Sequence, residues 1–192
     1  MKNSLTGKVV WYVTGRFYLS PNKTLEDAGY FIFLDGIKGD LFNGAIGETT
    51  AHFTFRSQPF TSESVTNGAI KLALDTAGTF SLYFQEKPAA NFARPDTFST
   101  GQEIARFRRV SVVMNQTLNA NGAGAKPGLF TTNVFTATLV SSQKFTYQGK
   151  TYNPKKFFPN GITQWGTASP EPVGQVTGYT SVLPFAASAI AL

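Results

Sequence analysis

Apolar and polar side chains alternate along most of this chain with a period of two, the spacing that gathers apolar groups on one face of a β-strand. From Lys8 to Leu19, the residues Val9, Trp11, Val13, Phe17 and Leu19 share one parity, and Val10, Tyr12, Thr14, Arg16 and Tyr18 share the other. Gly15 inside that run predicts a bulge or a sharp bend. Ser20-Pro21-Asn22-Lys23 is turn chemistry, and Ala28–Leu34 is apolar on both parities, so both of its faces should be covered. The two runs together predict a hairpin. Asp35 to Gly47 carries four glycines and predicts a loop. Glu48–Arg56 is the cleanest strand, with Ala51, Phe53 and Phe55 on one face and Thr50, His52, Thr54 and Arg56 on the other.

Ile70, Leu72 and Leu74 form the next apolar face, and Phe80, Leu82 and Phe84 resume it after Asp75-Thr76-Ala77-Gly78. These two runs predict a second hairpin. Lys87–Gly101 is a long, proline-containing connection of the kind that serves as a lid or binding loop. Gln102–Gln116, QEIARFRRVSVVMNQ, predicts a long strand and holds the densest positive charge, Arg106, Arg108 and Arg109. Asn119–Gly128 is low in complexity. Asn133–Val140 predicts a strand, and Lys144–Tyr152 a hairpin turning at Gln148-Gly149. Asn153–Val176 is rich in proline and glycine and predicts irregular structure, and Gly178–Leu192 a last strand that Pro184 bends or marks as an edge. Nine to ten strands at regular spacing, with almost no helix signal, predict one all-β domain over residues 1–192. A single antiparallel barrel is preferred, because glycine-broken strands help a sheet curl shut, with a sandwich as the alternative.

Composition narrows the picture. A chain of 192 residues with 42% hydrophobic and 14% aromatic content is globular rather than disordered. It contains no cysteine, which excludes disulfides and thiolate metal sites. The net charge of +6 gives a weak attraction to polyanions, but no basic block exceeds a pair. The first residues lack the apolar core of a signal peptide, which leads to an expectation of a cytoplasmic protein. The longest apolar segment, Val182–Leu192, is too short for a membrane helix.

The stretch Gly7-Lys8-Val9-Val10-Trp11 is similar to the lipocalin opening, a Gly-x-Trp before the first barrel strand, with a spacing two residues too long and no companion motif. The whole resembles calycin-like or allene-oxide-cyclase-like small barrels in architecture, which implies a fold and not a function.

Candidate chemistry is sparse. His52 is the only histidine, so histidine metal sites are excluded and no metal or cofactor is expected. His52 faces a barrel lumen if the phenylalanines of its strand pack outward, and solvent if they pack inward. Arg106 and Arg108 share one strand face and Phe107 and Arg109 the other. An inward arginine would hold an anionic or carbonyl ligand, whereas outward arginines beside Phe107 would make a nucleic-acid platform, and a solvated strand face is the plain alternative. The leading expectation is a barrel binding a small apolar or amphipathic molecule, with Tyr12, Arg16, Tyr30, His52, Tyr83, Arg106 and Arg108 lining the site. The alternatives are a cofactor-independent cyclase or isomerase in the same cavity, a basic nucleic-acid-binding module, and a structural or assembly protein that is oligomeric through exposed aromatics.

Overall fold

The computed structural model describes residues 7–22, 24–58, 65–67, 70–74, 78–115, 132–169 and 171–192. Its strands are β1 (Val9–Leu19), β2 (Leu25–Leu34), β3 (Phe53–Ser57), β4 (Val65–Asn67), β5 (Ile70–Leu74), β6 (Thr79–Phe84), β7 (Gln102–Asn115), β8 (Thr132–Ser142), β9 (Phe145–Tyr147), β10 (Lys150–Tyr152), β11 (Gly161–Ala168) and β12 (Ser181–Ala191). Eight of them close on themselves in the order β1-β2-β3-β6-β7-β8-β11-β12, each antiparallel to its neighbours. The barrel expected from the alternation is the fold of the chain.

The inward parity carries the aromatic residues. Trp11 lies within 5.5–6.2 Å, centroid to centroid, of Phe31, Phe80, Phe107 and Phe158. Phe80 continues the contact to Phe55 and Phe135, and Phe55 to Phe185. Rings therefore span this level of the lumen, which is a packed core rather than a pore. Where β1 pairs with β2, two glycines allow a close approach. Gly15 pairs with Gly29 there, and a Cβ on Gly29 would stand 2.2 Å from the Thr14 carbonyl and 2.6 Å from the Phe55 ring. The predicted bulge at Gly15 is absent from that pairing. The irregularity falls further along, where Tyr12 pairs with Phe33 but Val13 with Phe31.

One end of the barrel is plugged. The β9–β10 hairpin, turning at Gln148 (φ 46°) and Gly149 (φ 72°), brings Phe145 and Tyr147 against Phe53 and Phe84, with Tyr152 stacked on Phe145, and Phe158 follows from the Pro154–Lys156 turn. A separate apolar cluster covers the outer wall. The connection between β6 and β7 folds flat on the barrel, so that Phe92 and Phe98 pack with Tyr18, Ala28 and Val182.

Four expectations are corrected. β5 and β6 do not pair with each other: both run antiparallel to β7, β5 against Ser111–Asn115 and β6 against Gln102–Arg108, as one interrupted strand. Residues 75–77, the predicted turn, lie outside the described residues, as does Asn119–Gly128. Asn153–Val176 contains a full barrel strand, β11, hidden because its inward positions are Ile162, Gln164, Gly166 and Ala168 while its aromatic Trp165 points out. The long Lys87–Gly101 connection is a strap rather than a free lid. In β2, Phe31 is buried but Ile32 and Phe33 are exposed, so the strand is covered on both faces over only part of its length. Pro184 sits at the start of β12, where β1 is its partner and β11 has already ended at Ala168, so no ladder bond is lost.

Candidate functional site

Strand parity decides where each predicted site residue goes. Tyr12, Arg16, Tyr30, Tyr83, Arg106 and Arg108 all lie on the parity opposite to the buried aromatics, so they point out of the barrel and do not line its lumen. Arg16 places its guanidinium 4.3 Å over the Phe92 ring, and Tyr30 packs edge-on to Phe42 and against Phe92. Both pack on Phe92 and so hold the strap. Arg106 pairs with Glu103 at 2.8 Å on the surface, which raises its pKa, beside the half-buried Tyr83, whose pKa burial also raises. Arg108 and Tyr12 are exposed. His52 lies before β3 at the plugged end, 2.9 Å from the Gln85 carbonyl through Nδ1, with Tyr147 and Phe84 beside its ring. Phe107 is fully buried in the lumen, so a platform stacking bases on it is excluded.

The arginine that does point inward is Arg109. Its Nη2 donates to Asp27 Oδ2 at 2.8 Å, with the two side chains 1% and 6% exposed. Phe135 and Phe80 flank the guanidinium at 5.1 and 5.9 Å, and Ser57 Oγ accepts the Asp27 backbone N–H at 2.7 Å. Burial pulls the Arg109 pKa down and Asp27 opposes that shift. Asp27 Oδ1 and Asn133 Nδ2, also buried, have no hydrogen-bond partner among the described residues. This polar spot inside an aromatic barrel is compatible with ligand binding, and its signal in the sequence was only that Arg109 shares the parity of Phe107.

The open space sits at the plugged end. A cleft of about 470 Å³ is lined by Gly36, Lys144, Thr151, Tyr152, Asn153, Lys156 and Phe157. Tyr152, Asn153 and Phe157 are each fixed by their surroundings. Tyr152 closes the β9–β10 hairpin, stacks on Phe145 at 5.5 Å, and donates its hydroxyl to the Lys38 carbonyl at 3.3 Å. Asn153 caps the Pro154–Lys156 turn by accepting from the Lys155 N–H at 3.1 Å. Phe157 lies against Gly36 (φ 82°), where a Cβ would stand 2.3 Å from the ring, so only glycine allows this approach. Two aromatic residues and two lysines therefore share one lining. Among the described lining residues there is no carboxylate and no histidine. A second cleft of about 470 Å³, lined by Phe84 to Lys87 and by Thr100, Gly101 and Gln102, has an acid and a base together in Glu86 and Lys87. None of the seven predicted site residues lines either cleft.

The fold and the cleft together define a closed eight-stranded barrel with an aromatic core and an open cationic pocket at its plugged end. The chain matches no family model, and neither curated proteins nor solved structures give a significant match.

Proposed function

We propose that this barrel binds a small amphipathic anion in the cleft at its plugged end. The observation that carries the reading is the lining itself: Lys144 and Lys156 line the same cleft as Tyr152 and Phe157, with no acidic neighbour among the described lining residues. A flat apolar body contacts the rings, and a carboxylate, sulfonate or phosphate head meets the ammonium groups. The volume, about 470 Å³, falls in the range that holds a small molecule. The lining offers charge and contact area, with no carboxylate and no histidine among its described residues. Binding is therefore the reading, and the barrel supplies rigidity.

The test is titration of the folded protein with the amphipathic anion 8-anilinonaphthalene-1-sulfonate, followed by fluorescence. Lys144→Ala and Lys156→Ala should each weaken binding by about fivefold or more, and Phe157→Ala by a similar factor, because each removes roughly 1 kcal/mol of contact or charge. Arg16 packs on Phe92 and does not line the cleft, so Arg16→Ala should leave the affinity unchanged. Equal affinity in the Lys144→Ala/Lys156→Ala double variant would place the anion elsewhere and sink the proposal. Tight oligonucleotide binding that falls steeply with salt, together with loss of the probe's competition, would move the reading to nucleic acid.

A further inference from the structure

The sequence contains four Asn-Gly pairs, at 43–44, 67–68, 121–122 and 160–161. In such a pair no Cβ shields the glycine backbone nitrogen, so that nitrogen can reach the carboxamide carbon of the asparagine before it. The fold decides whether it does, by leaving the carboxamide free to turn and the glycine N–H unbonded, or by holding both. Two of the pairs, 43–44 and 160–161, lie wholly within the described residues, and the fold treats them in opposite ways.

Asn160 and Gly161 are held. The Asn160 carboxamide donates from Nδ2 to the Leu192 carbonyl at 3.0 Å, and the Asn160 backbone carbonyl accepts from the Leu139 N–H at 3.2 Å. Gly161 is buried at the start of β11, paired with Thr138, and a Cβ there would stand 2.1 Å from the Ala137 carbonyl oxygen. Ring closure at this pair needs space that β8 occupies. Asn43 and Gly44 lie in the loop between β2 and β3, whose neck is tied. Phe42 bridges to Ala51, the His52 N–H donates to the Leu41 carbonyl at 2.9 Å, and the Asn43 N–H donates to the Thr50 carbonyl at 2.8 Å. Beyond the neck both residues are exposed, and a Cβ on Gly44 (φ 111°) would meet nothing within 4 Å. Neither the Asn43 carboxamide nor the Gly44 N–H has a hydrogen-bond partner among the described residues.

We infer that Asn43 is a site of spontaneous modification in the folded protein, where the carboxamide becomes aspartate and isoaspartate. The Gly44 nitrogen attacks Asn43 Cγ. A C–N bond forms, the Cγ–Nδ2 bond breaks, and ammonia leaves with the proton of the Gly44 N–H. Water then opens the five-membered imide at one carbonyl or the other. One opening gives aspartate; the other gives isoaspartate, whose main chain runs through the former side chain. Either product adds a negative charge. The Asn43 N–H lies before the altered link, so the neck bonds survive, Phe42 stays edge-on to Tyr30, and the barrel keeps its fold. The isoaspartyl carboxylate at the loop tip is a substrate for a repair methyltransferase, which moves the sulfonium methyl of S-adenosylmethionine onto a carboxylate oxygen and releases S-adenosylhomocysteine.

The experiment is incubation of the full chain for several weeks at body temperature in mildly alkaline buffer, folded and in urea, followed by tryptic digestion in slightly acid buffer. Cleavage after lysine and arginine puts the four pairs on four separate peptides, with Asn43 on 39–56 and Asn160 on 157–192. In the folded chain the 39–56 peptide should gain the mass of the amide-to-acid change at least ~10-fold faster than 157–192. It should also take up label from S-adenosylmethionine and an isoaspartyl methyltransferase. In urea the two rates should converge, because only the fold separates them. Asn43→Gln, whose longer side chain would have to close a six-membered ring, should abolish both signals on 39–56. Equal rates in the folded chain overturn the inference, as does label on 39–56 that survives Asn43→Gln. A rate difference that persists undiminished in urea overturns it too, by assigning the difference to local sequence instead of the fold.

Discussion

The Asp27–Arg109 pair gives the most demanding test of how this barrel is held together. Both side chains are almost wholly buried, 2.8 Å apart, between the Phe80 and Phe135 rings. Asp27→Ala leaves the guanidinium in that setting without its carboxylate. Removing one partner of a buried pair costs about 3–5 kcal/mol, because the remaining charge stays desolvated. The backbone bond from Asp27 N–H to Ser57 Oγ survives the change, so the loss is confined to the side chain. Near the melting midpoint an unfolding entropy of ~2.1 cal/mol/K per residue gives this 192-residue chain about 0.4 kcal/mol/K, so the midpoint should fall by about 8–12 °C. The assay is thermal and urea unfolding followed by tryptophan fluorescence, with the fully buried Trp11 as reporter. The double variant Asp27→Leu/Arg109→Met removes both charges and should come back to within about 2 kcal/mol of the parent. An Asp27→Ala cost below ~1 kcal/mol would show that water reaches the guanidinium. Additive costs in the double variant would show that the two side chains do not act as a pair.

Two further outcomes follow from the same core. Gly29→Ala sets a Cβ against backbone at 2.2 Å and should cost at least about 2 kcal/mol, whereas Gly174→Ala, with nothing within 4 Å, should be near neutral; equal melting midpoints for the two would refute the close packing of β1 on β2. Burial raises the pKa values of Tyr18 and Tyr179 above the ordinary 10.0, and the hydrogen bond to Glu26 adds to the rise at Tyr179. A raised folded-state value means that stability is fully present below pH 10 and is lost as pH rises above it, first through ionisation of the unfolded chain. Thermal unfolding from neutral to alkaline pH checks this, and Tyr18→Phe should flatten the decline while lowering the neutral midpoint through loss of its bond to the Phe92 carbonyl. Ionisation of every tyrosine near pH 10 with the fold intact would refute it.

Most of the strands could be read from alternation because the barrel has an apolar inside and, over much of its wall, a polar outside. β1, β7, β8 and β12 follow that rule over most of their lengths. The elements that escaped break it for identifiable reasons. β11 breaks the pattern at its centre, with Gln164 inside accepting from Trp11 Nε1 at 2.8 Å and Trp165 outside. β5 and β6 read as a hairpin because Asp75–Gly78 is good turn chemistry, yet β7 is long enough to pair with both in line. The expected site residues lie outside the lumen for one reason: they face away from the phenylalanines, and the phenylalanines themselves fill it. The cleft was not legible either, since Gly36, Lys144 and Phe157 are brought together only by the plug.

The sequence by itself determined the all-β class, the antiparallel pairing of β1 with β2, the β9–β10 hairpin, and the absence of thiol chemistry, because these depend on local periodicity, turn residues and composition. The tertiary structure decided which parity is inside and which outward side chains the strap covers. Those outcomes depend on which strands meet when the sheet closes, and one strand's alternation is the same whichever face is later buried.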